Sequence, residues 1–359
     1  MDDIRVCDLV DRVSSSLKID DLYSEGKYPV YGAKGLVGYL NTFQTTVESI
    51  ALIKDGAGVG RVQIIPAHSS VIGTMQLLVP KNNVDVNYLY YLFNYLDLGQ
   101  SFSGATIPHI YFRDYGELKV KKYSKDEQKV IGQKLSDIDK LLKLTIKKKT
   151  LIDELLKSRF FEIFGDVGIN SKQFEIVPLS EIADYWNGLT YKPDDIAKEG
   201  GVLVLRSSNI QDGMLSFEDN VFVNCKIKEK CLVKDNDILM CSRNGSAKLV
   251  GKVALIENMN KPMAFGAFMM IIRSKYYSYL KNYFETDAFR DQIATNTSTI
   301  NQITSGMMDN VYVPLPKKEN LDEFESIYSL TKQVKMAILK EIKTITELLN
   351  SKIEYYFGI

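Results

Sequence analysis

Thr106-Ile107-Pro108-His109-Ile110 and Thr299-Ile300-Asn301-Gln302-Ile303 are one stretch written twice, 193 residues apart. At the same shift Val120 meets Val313, and Glu154-Leu155-Leu156-Lys157-Ser158 meets Glu347-Leu348-Leu349-Asn350-Ser351. Phe164-Gly165 meets Phe357-Gly358, and no gap is needed anywhere over 106–165. Such a repeat decides the architecture before any single element is read. Upstream the match is looser and its register changes, with Val6-Cys7-Asp8-Leu9-Val10 resembling Leu179-Ser180-Glu181-Ile182-Ala183 at an offset of 173. The second copy therefore carries about twenty more residues than the first ahead of their shared end.

Each copy reads as a mixed region followed by a long helix. Ser124 and Glu127 form a capping box, which satisfies the free amides of a helix start. Ile131, Leu135, Ile138, Leu142, Ile152, Leu156 and Ile163 then recur at alternating steps of three and four, interrupted by Thr145, Lys149 and Arg159, and Gly165 offers a stop. In the second copy Asn320 and Glu323 suggest the cap, and Ile327, Leu330, Val334, Ile338, Ile342, Ile345, Leu349 and Ile353 form the stripe. At 1.5 Å per residue these helices are roughly 55–60 Å long. A narrow apolar seam of that length needs a partner helix, and the other copy is the cheapest one.

The mixed regions read as strands over 47–53, 61–66, 201–206 and 237–241, with helices over 85–96 and 276–293. Gly56-Ala57-Gly58-Val59-Gly60 resembles a nucleotide-binding loop in composition. Such a loop opens a helix, whereas this one leads into Arg61-Val62-Gln63-Ile64-Ile65, which has strand character. It reads as a hairpin turn needing positive φ. The fold class expected is α+β.

The 359 residues suit two or three domains, and no stretch reaches 18 uninterrupted apolar residues, so no membrane span is expected. The start, Met1-Asp2-Asp3-Ile4-Arg5, is acidic where a signal peptide is basic and apolar, which points to the cytoplasm. Cys7, Cys225, Cys231 and Cys241 form no C-x-x-C pair, and His68 and His109 lie far from them, so no metal site is expected. There is no P-loop, no G-x-S-x-G elbow and no Asn-Pro-Pro-aromatic or Asp-Pro-Pro-aromatic tetrapeptide of the kind amino-methyltransferases use. No catalytic residue is named on these grounds.

Charge distribution is more telling. Forty-five Lys and Arg balance forty-five Asp and Glu, which excludes holding nucleic acid by bulk charge alone and leaves local clustering open. Four segments, 56–84, 98–113, 238–256 and 292–308, contain no acid; the first three hold scattered Lys or Arg, and the last is uncharged and rich in amides and hydroxyls. Such loops suit phosphate contacts and base-edge hydrogen bonds. Segment 119–159 holds thirteen Lys or Arg against six Asp or Glu, fitting either a solvated helix face or a position near DNA.

These features meet in one family. Tyr28-Pro29-Val30-Tyr31-Gly32-Ala33-Lys34-Gly35 with Gly38-Tyr39, the strand and glycine turn over 50–60, the closing segment 106–110, Glu127-Gln128-Lys129-Val130-Ile131 and Val313-Pro314-Leu315-Pro316 together resemble the specificity (S) subunit of Type I restriction–modification systems over essentially the whole chain. The first copy departs from the pattern at Val120-Lys121-Lys122-Tyr123, which stands opposite Val313-Pro314-Leu315-Pro316. The resemblance implies two pseudo-repeated mixed α/β target recognition domains, over 1–123 and 166–317. It implies that they are separated by long helices over 124–165 and 318–359, packed as an antiparallel coiled coil. It implies a non-catalytic subunit that reads a bipartite, asymmetric site in double-stranded DNA. It also implies two methyltransferase subunits and, through them, restriction subunits as partners, which carry S-adenosylmethionine, ATP and Mg while this chain binds no cofactor. The DNA-binding candidates are Tyr31, Lys34, Lys54, Arg61 and Gln63 in the first copy and Arg206, Arg243, Asn244, Lys248, Asn301 and Gln302 in the second. Two other readings share some of these features: a specificity subunit with a fused methylase–nuclease partner, and an S-adenosylmethionine-binding enzyme using the 56–60 loop.

Overall fold

The computed structural model describes residues 2–100, 108–294 and 302–358. The chain divides into two compact units, Met1–Lys149 with Ala337–Ile359, and Thr150–Met336. Each contains a four-stranded sheet, a three-stranded sheet, and one end of each long helix.

In the first unit the four-stranded sheet runs Val10–Ser14, Met75–Pro80, Ser49–Ile53, Val62–Ile65 in space, all antiparallel. In the second the same order is built from Asp184–Asn187, Met269–Arg273, Ile238–Cys241 and Val253–Leu255. The three-stranded sheets also match. Tyr28–Gly32 pairs antiparallel with Gly35–Leu40 and parallel with Ser70–Val71, and Val202–Leu205 pairs antiparallel with Phe222–Val223 and parallel with Met263–Phe265.

The central strand Ser49–Ile53 is buried at every position, because side chains alternate between two covered faces. Ala51 and Ile53 pack with Val30, Ile65, Val71 and Leu77, while Ile50 and Leu52 face a second core with Tyr88, Leu92, Ile131, Leu135 and Phe357. Ile238–Cys241 repeats this: Leu239 and Cys241 join Leu205, Phe265 and Ile271, and Ile238 and Met240 join Phe164, Tyr279 and Phe324.

The long helices are Lys125–Phe164 and Lys318–Phe357. Ser124 caps the first: its backbone N–H donates to Glu127 Oε2 at 2.7 Å and its hydroxyl lies within bonding distance of the same oxygen, which holds that carboxyl below the usual carboxylate range. The first helix ends at Gly165, whose φ of 70° suits glycine. The second begins earlier than the Asn320 cap suggests, because the amides of Asn320 and Leu321 already bond back to the carbonyl of Lys317.

Within each unit the start of one long helix lies beside the end of the other. In the first unit the Tyr123 hydroxyl donates to the carbonyl of Tyr356 at 2.8 Å, and Phe357 packs against Tyr88. In the second, Arg159 pairs with Glu323 at 3.3 Å and Phe164 packs against Phe324. The helices therefore run antiparallel. Ile131, Leu135, Ile338 and Ile345 are buried, and Ile138, Leu142, Ile152, Leu156, Ile342 and Leu349 are half-buried. Leu330 and Val334 are exposed and lie off the seam. The buried line there runs through Phe324, Tyr328 and Thr331 to Lys335, which is 15% exposed and pairs with Asp153 at 2.6 Å. Tyr276 to Ile293 does not form one helix. It breaks into Tyr277–Tyr283 and Asp287–Ile293, where the Thr286 side chain caps the second piece by accepting from the amide of Phe289.

Candidate nucleic-acid interface

Three pieces of backbone converge at one end of each four-stranded sheet. The first is the loop after the central strand, the second the turn before the adjoining strand, and the third the segment that closes the repeat. In the first unit the amides of Lys54 and Asp55 both donate to the carbonyl of Thr74, at 3.1 and 3.3 Å. The amide of Ile110 donates to the carbonyl of Lys54 at 3.1 Å, and the amide of Gly56 to that of Pro108 at 3.0 Å. The second unit repeats the arrangement. The amides of Ser242 and Arg243 donate to the carbonyl of Phe268 at 2.9 and 3.0 Å, and that of Ile303 donates to the carbonyl of Ser242 at 2.7 Å. Asp55 bridges to His109 in one unit as Arg243 bridges to Gln302 in the other.

The loop over 56–60 is a hairpin connection between antiparallel strands and opens no helix. Gly60 has a φ of 88°, and a Cβ there would meet the backbone nitrogen of Gly99 at 2.2 Å, so only glycine fits. A Cβ on Gly58 would meet the Arg61 guanidinium, which bonds through Nε to the carbonyl of Gly58 at 3.3 Å.

The candidate residues divide by what already holds them. Lys34 stands exposed in the turn between two strands, and Tyr31 is half-buried in the first of these. Lys54 is half-buried at the converging loop, while Arg61 is exposed beside it. The Gln63 amide donates to the carbonyl of Gly32 at 2.9 Å, so its nitrogen ties the two sheets together. In the second unit Arg206 pairs with Asp219 at 2.8 Å, and its Nε is buried without a partner among the described residues. Asn244 donates to the Ser207 hydroxyl at 3.1 Å and accepts from the amide of Ser246, which fixes its orientation. Arg243 and Lys248 are exposed, as is Gln302. Asn301 lies outside the described residues. Arg206, Arg243 and Asn244 line one cleft of about 1040 Å³ together with Ser207, Tyr191 and Phe268.

Sequence reading missed two participants. One is the Asp55–His109 side-chain pair, with the Tyr111 ring centre 4.0 Å from that of His109 and the Arg113 guanidinium 4.7 Å from the Tyr111 ring centre. The other is Phe268, exposed at the rim of the cleft with the Arg243 guanidinium 5.4 Å from its ring centre. The arrangement offers cations, amides and aromatic faces at the end of a rigid sheet, the inventory that contacts phosphates and base edges. Among the described residues no group of three His, Cys, Asp or Glu is placed to hold a metal ion, and no helix is long and apolar enough to cross a membrane.

Comparison with known proteins agrees with this layout. The family model of the Type I restriction modification DNA specificity domain matches twice, over residues 6–156 and 171–355. The Type I restriction enzyme MjaVIII specificity subunit of Methanocaldococcus jannaschii is 24% identical over 339 residues, covering 84% of this chain and 77% of that one. The Type I restriction enzyme StySPI specificity subunit of Salmonella potsdam is 26% identical over 148 residues, 39% of this chain and 32% of that one. The fold is that of the crystallised Type-I restriction-modification system S subunit from M. genitalium, with a TM-score of 0.69 at 18% identity over all of this chain and 96% of that chain. Two matches that between them take in both copies of the repeat leave one conclusion: the chain belongs to the Type I restriction–modification DNA specificity family.

Proposed function

We propose that each unit reads one half of a bipartite, asymmetric site in double-stranded DNA, and that the chain performs no catalysis itself. The observation that carries this reading is the repeated convergence of loop, turn and closing segment, with three matching backbone bonds in each unit and different side chains upon them. A shared framework with unlike side chains is what two unlike half-sites require. Two methyltransferase subunits dock on the long helices and bring restriction subunits with them; the partners carry S-adenosylmethionine, ATP and Mg. Support for docking comes from the first long helix, where Leu141 and Leu144 in the first unit, and Leu151 and Leu155 in the second, are exposed one residue ahead of the seam. Large side chains exposed in this way suit a protein partner.

The test is to co-express the chain with its methyltransferase partner and map methylated adenines by sequencing. The expected motif has two unlike halves at a fixed spacing. A pattern that does not change when the chain is removed or exchanged would overturn the proposal. The isolated chain should bind DNA weakly, because zero net charge limits the counterion release that drives sequence-independent affinity. Nanomolar binding of its site by the chain alone at physiological salt would contradict that.

A further inference from the structure

Phe268 is 61% exposed, yet it is held firmly. Its carbonyl accepts from two amides, those of Ser242 and Arg243, and the Arg243 guanidinium lies over its ring. Asp219, the acid of the same cleft, is taken by Arg206 at 2.8 Å, and Arg243 makes no ion pair among the described residues. A phenyl ring satisfies no base-edge donor or acceptor. In the major groove it tells bases apart through the 5-methyl group of thymine, whereas a guanidinium reads the O6 and N7 of guanine. The 5.4 Å between ring and guanidinium falls between one and two base-pair steps of about 3.4 Å. A cation held against an aromatic face also loses less freedom on binding than one that swings alone.

We propose that Phe268 and Arg243 form one reading element in the half-site of the second unit: Arg243 on a guanine, and Phe268 against the methyl group of a thymine in the neighbouring base pair. This rests on the DNA-reading proposal above and adds to it the bases addressed. The equivalent position in the first unit is Thr74, whose carbonyl is held by the same two bonds but which carries no ring. The preference therefore belongs to one half-site only.

The experiment uses the chain assembled with its methyltransferase partner. Methylation independent of the chain would remove the DNA-reading proposal itself. With a chain-dependent motif in hand, Arg243→Ala should relax one half-site, and that half-site should contain a guanine next to a thymine. Replacing this thymine by deoxyuridine in a duplex should weaken binding by the parent complex about fourfold, the worth of one buried methyl group. It should leave the Phe268→Ala complex unaffected, and Phe268→Leu should retain part of the preference. The deoxyuridine effect on the parent needs no variant to fold. Undiminished parent binding, equal losses in parent and Phe268→Ala, or a half-site without adjacent guanine and thymine would overturn the inference. So would a 2-aminopurine signal showing the step unstacked by the parent alone, since the ring would then be a wedge.

Discussion

The first unit closes its converging edge with Asp55, Thr74 and His109, and the second with Arg243, Phe268 and Gln302. The backbone bonds beneath these residues coincide, while charge, size and hydrogen-bonding sense all differ. Carbonyl and amide groups thus fix where a side chain stands and leave its chemistry open. The comparison extends to the cores. Phe164, the last aromatic of the first copy, fills the second unit's core against Tyr279 and Phe324. Phe357, its counterpart, fills the first unit's core against Tyr88. Each copy is completed by the end of the other.

The largest expected effect comes from separating the copies. Residues 1–165 alone lack Phe357 and should associate as a two-fold dimer in which Phe164 of each chain takes that place. With the methyltransferase partner, such a dimer should direct methylation to an interrupted palindrome. Sedimentation showing a soluble monomer, or methylation of the original asymmetric motif, would break the equivalence of the two units.

Next come the paired truncations Phe164→Ala and Phe357→Ala. Each removes a buried ring, and each should cost about 3–5 kcal/mol in denaturant unfolding. A full cost for one and none for the other would show that one unit closes without its borrowed aromatic. Leu349→Ala, at a half-buried position, should cost less, about 1–2 kcal/mol.

At the converging edge Arg243→Ala should cost about 1–3 kcal/mol of specific binding and relax one half-site. Lys248→Ala should weaken specific and random duplexes alike and reduce the salt slope by about one. Equal behaviour of the two variants would remove the distinction between base reading and backbone holding. The smallest effect sharpens the helix starts: Ser124→Ala should lose about 1 kcal/mol, whereas the second long helix has no such box to lose. The cap carboxylate, with its depressed folded pKa, contributes fully above the ordinary carboxylate range. That contribution is lost as pH falls through the folded value, so the parent–variant difference should fade in acid.

The repeat and the seam of the first helix were legible because each is a periodicity, and periodicities survive without knowledge of neighbours. The repeat recurs in the strand pairings, with Val13 opposite Leu77 where Trp186 stands opposite Ile271, at offsets of 173 and 194. Less legible was anything decided across space. Leu330 and Val334 have seam spacing, but the neighbouring core of the second unit selects Tyr328 and Thr331 instead. Thr286 looked like one more helix residue until its side chain took up an amide. Gln63 and Asn244 stood among the DNA-binding candidates, yet both side-chain amides are engaged within the protein. Phe268 was hidden inside the apolar run 263–272, where only its turn, beginning at Gly266, lifts it out of the core.

The division of the chain has a consequence for synthesis. The second unit is continuous, Thr150–Met336, and all its residues have emerged before the first unit's set is complete, because that unit needs Ala337–Ile359. At about 5–20 residues per second, the ribosome leaves the N-terminal portion waiting roughly 10–40 s for its last aromatic. Chain order and folding order are thus inverted: the half made first is finished last, and its apolar surface around Tyr88 and Leu135 stands open to chaperones throughout the interval.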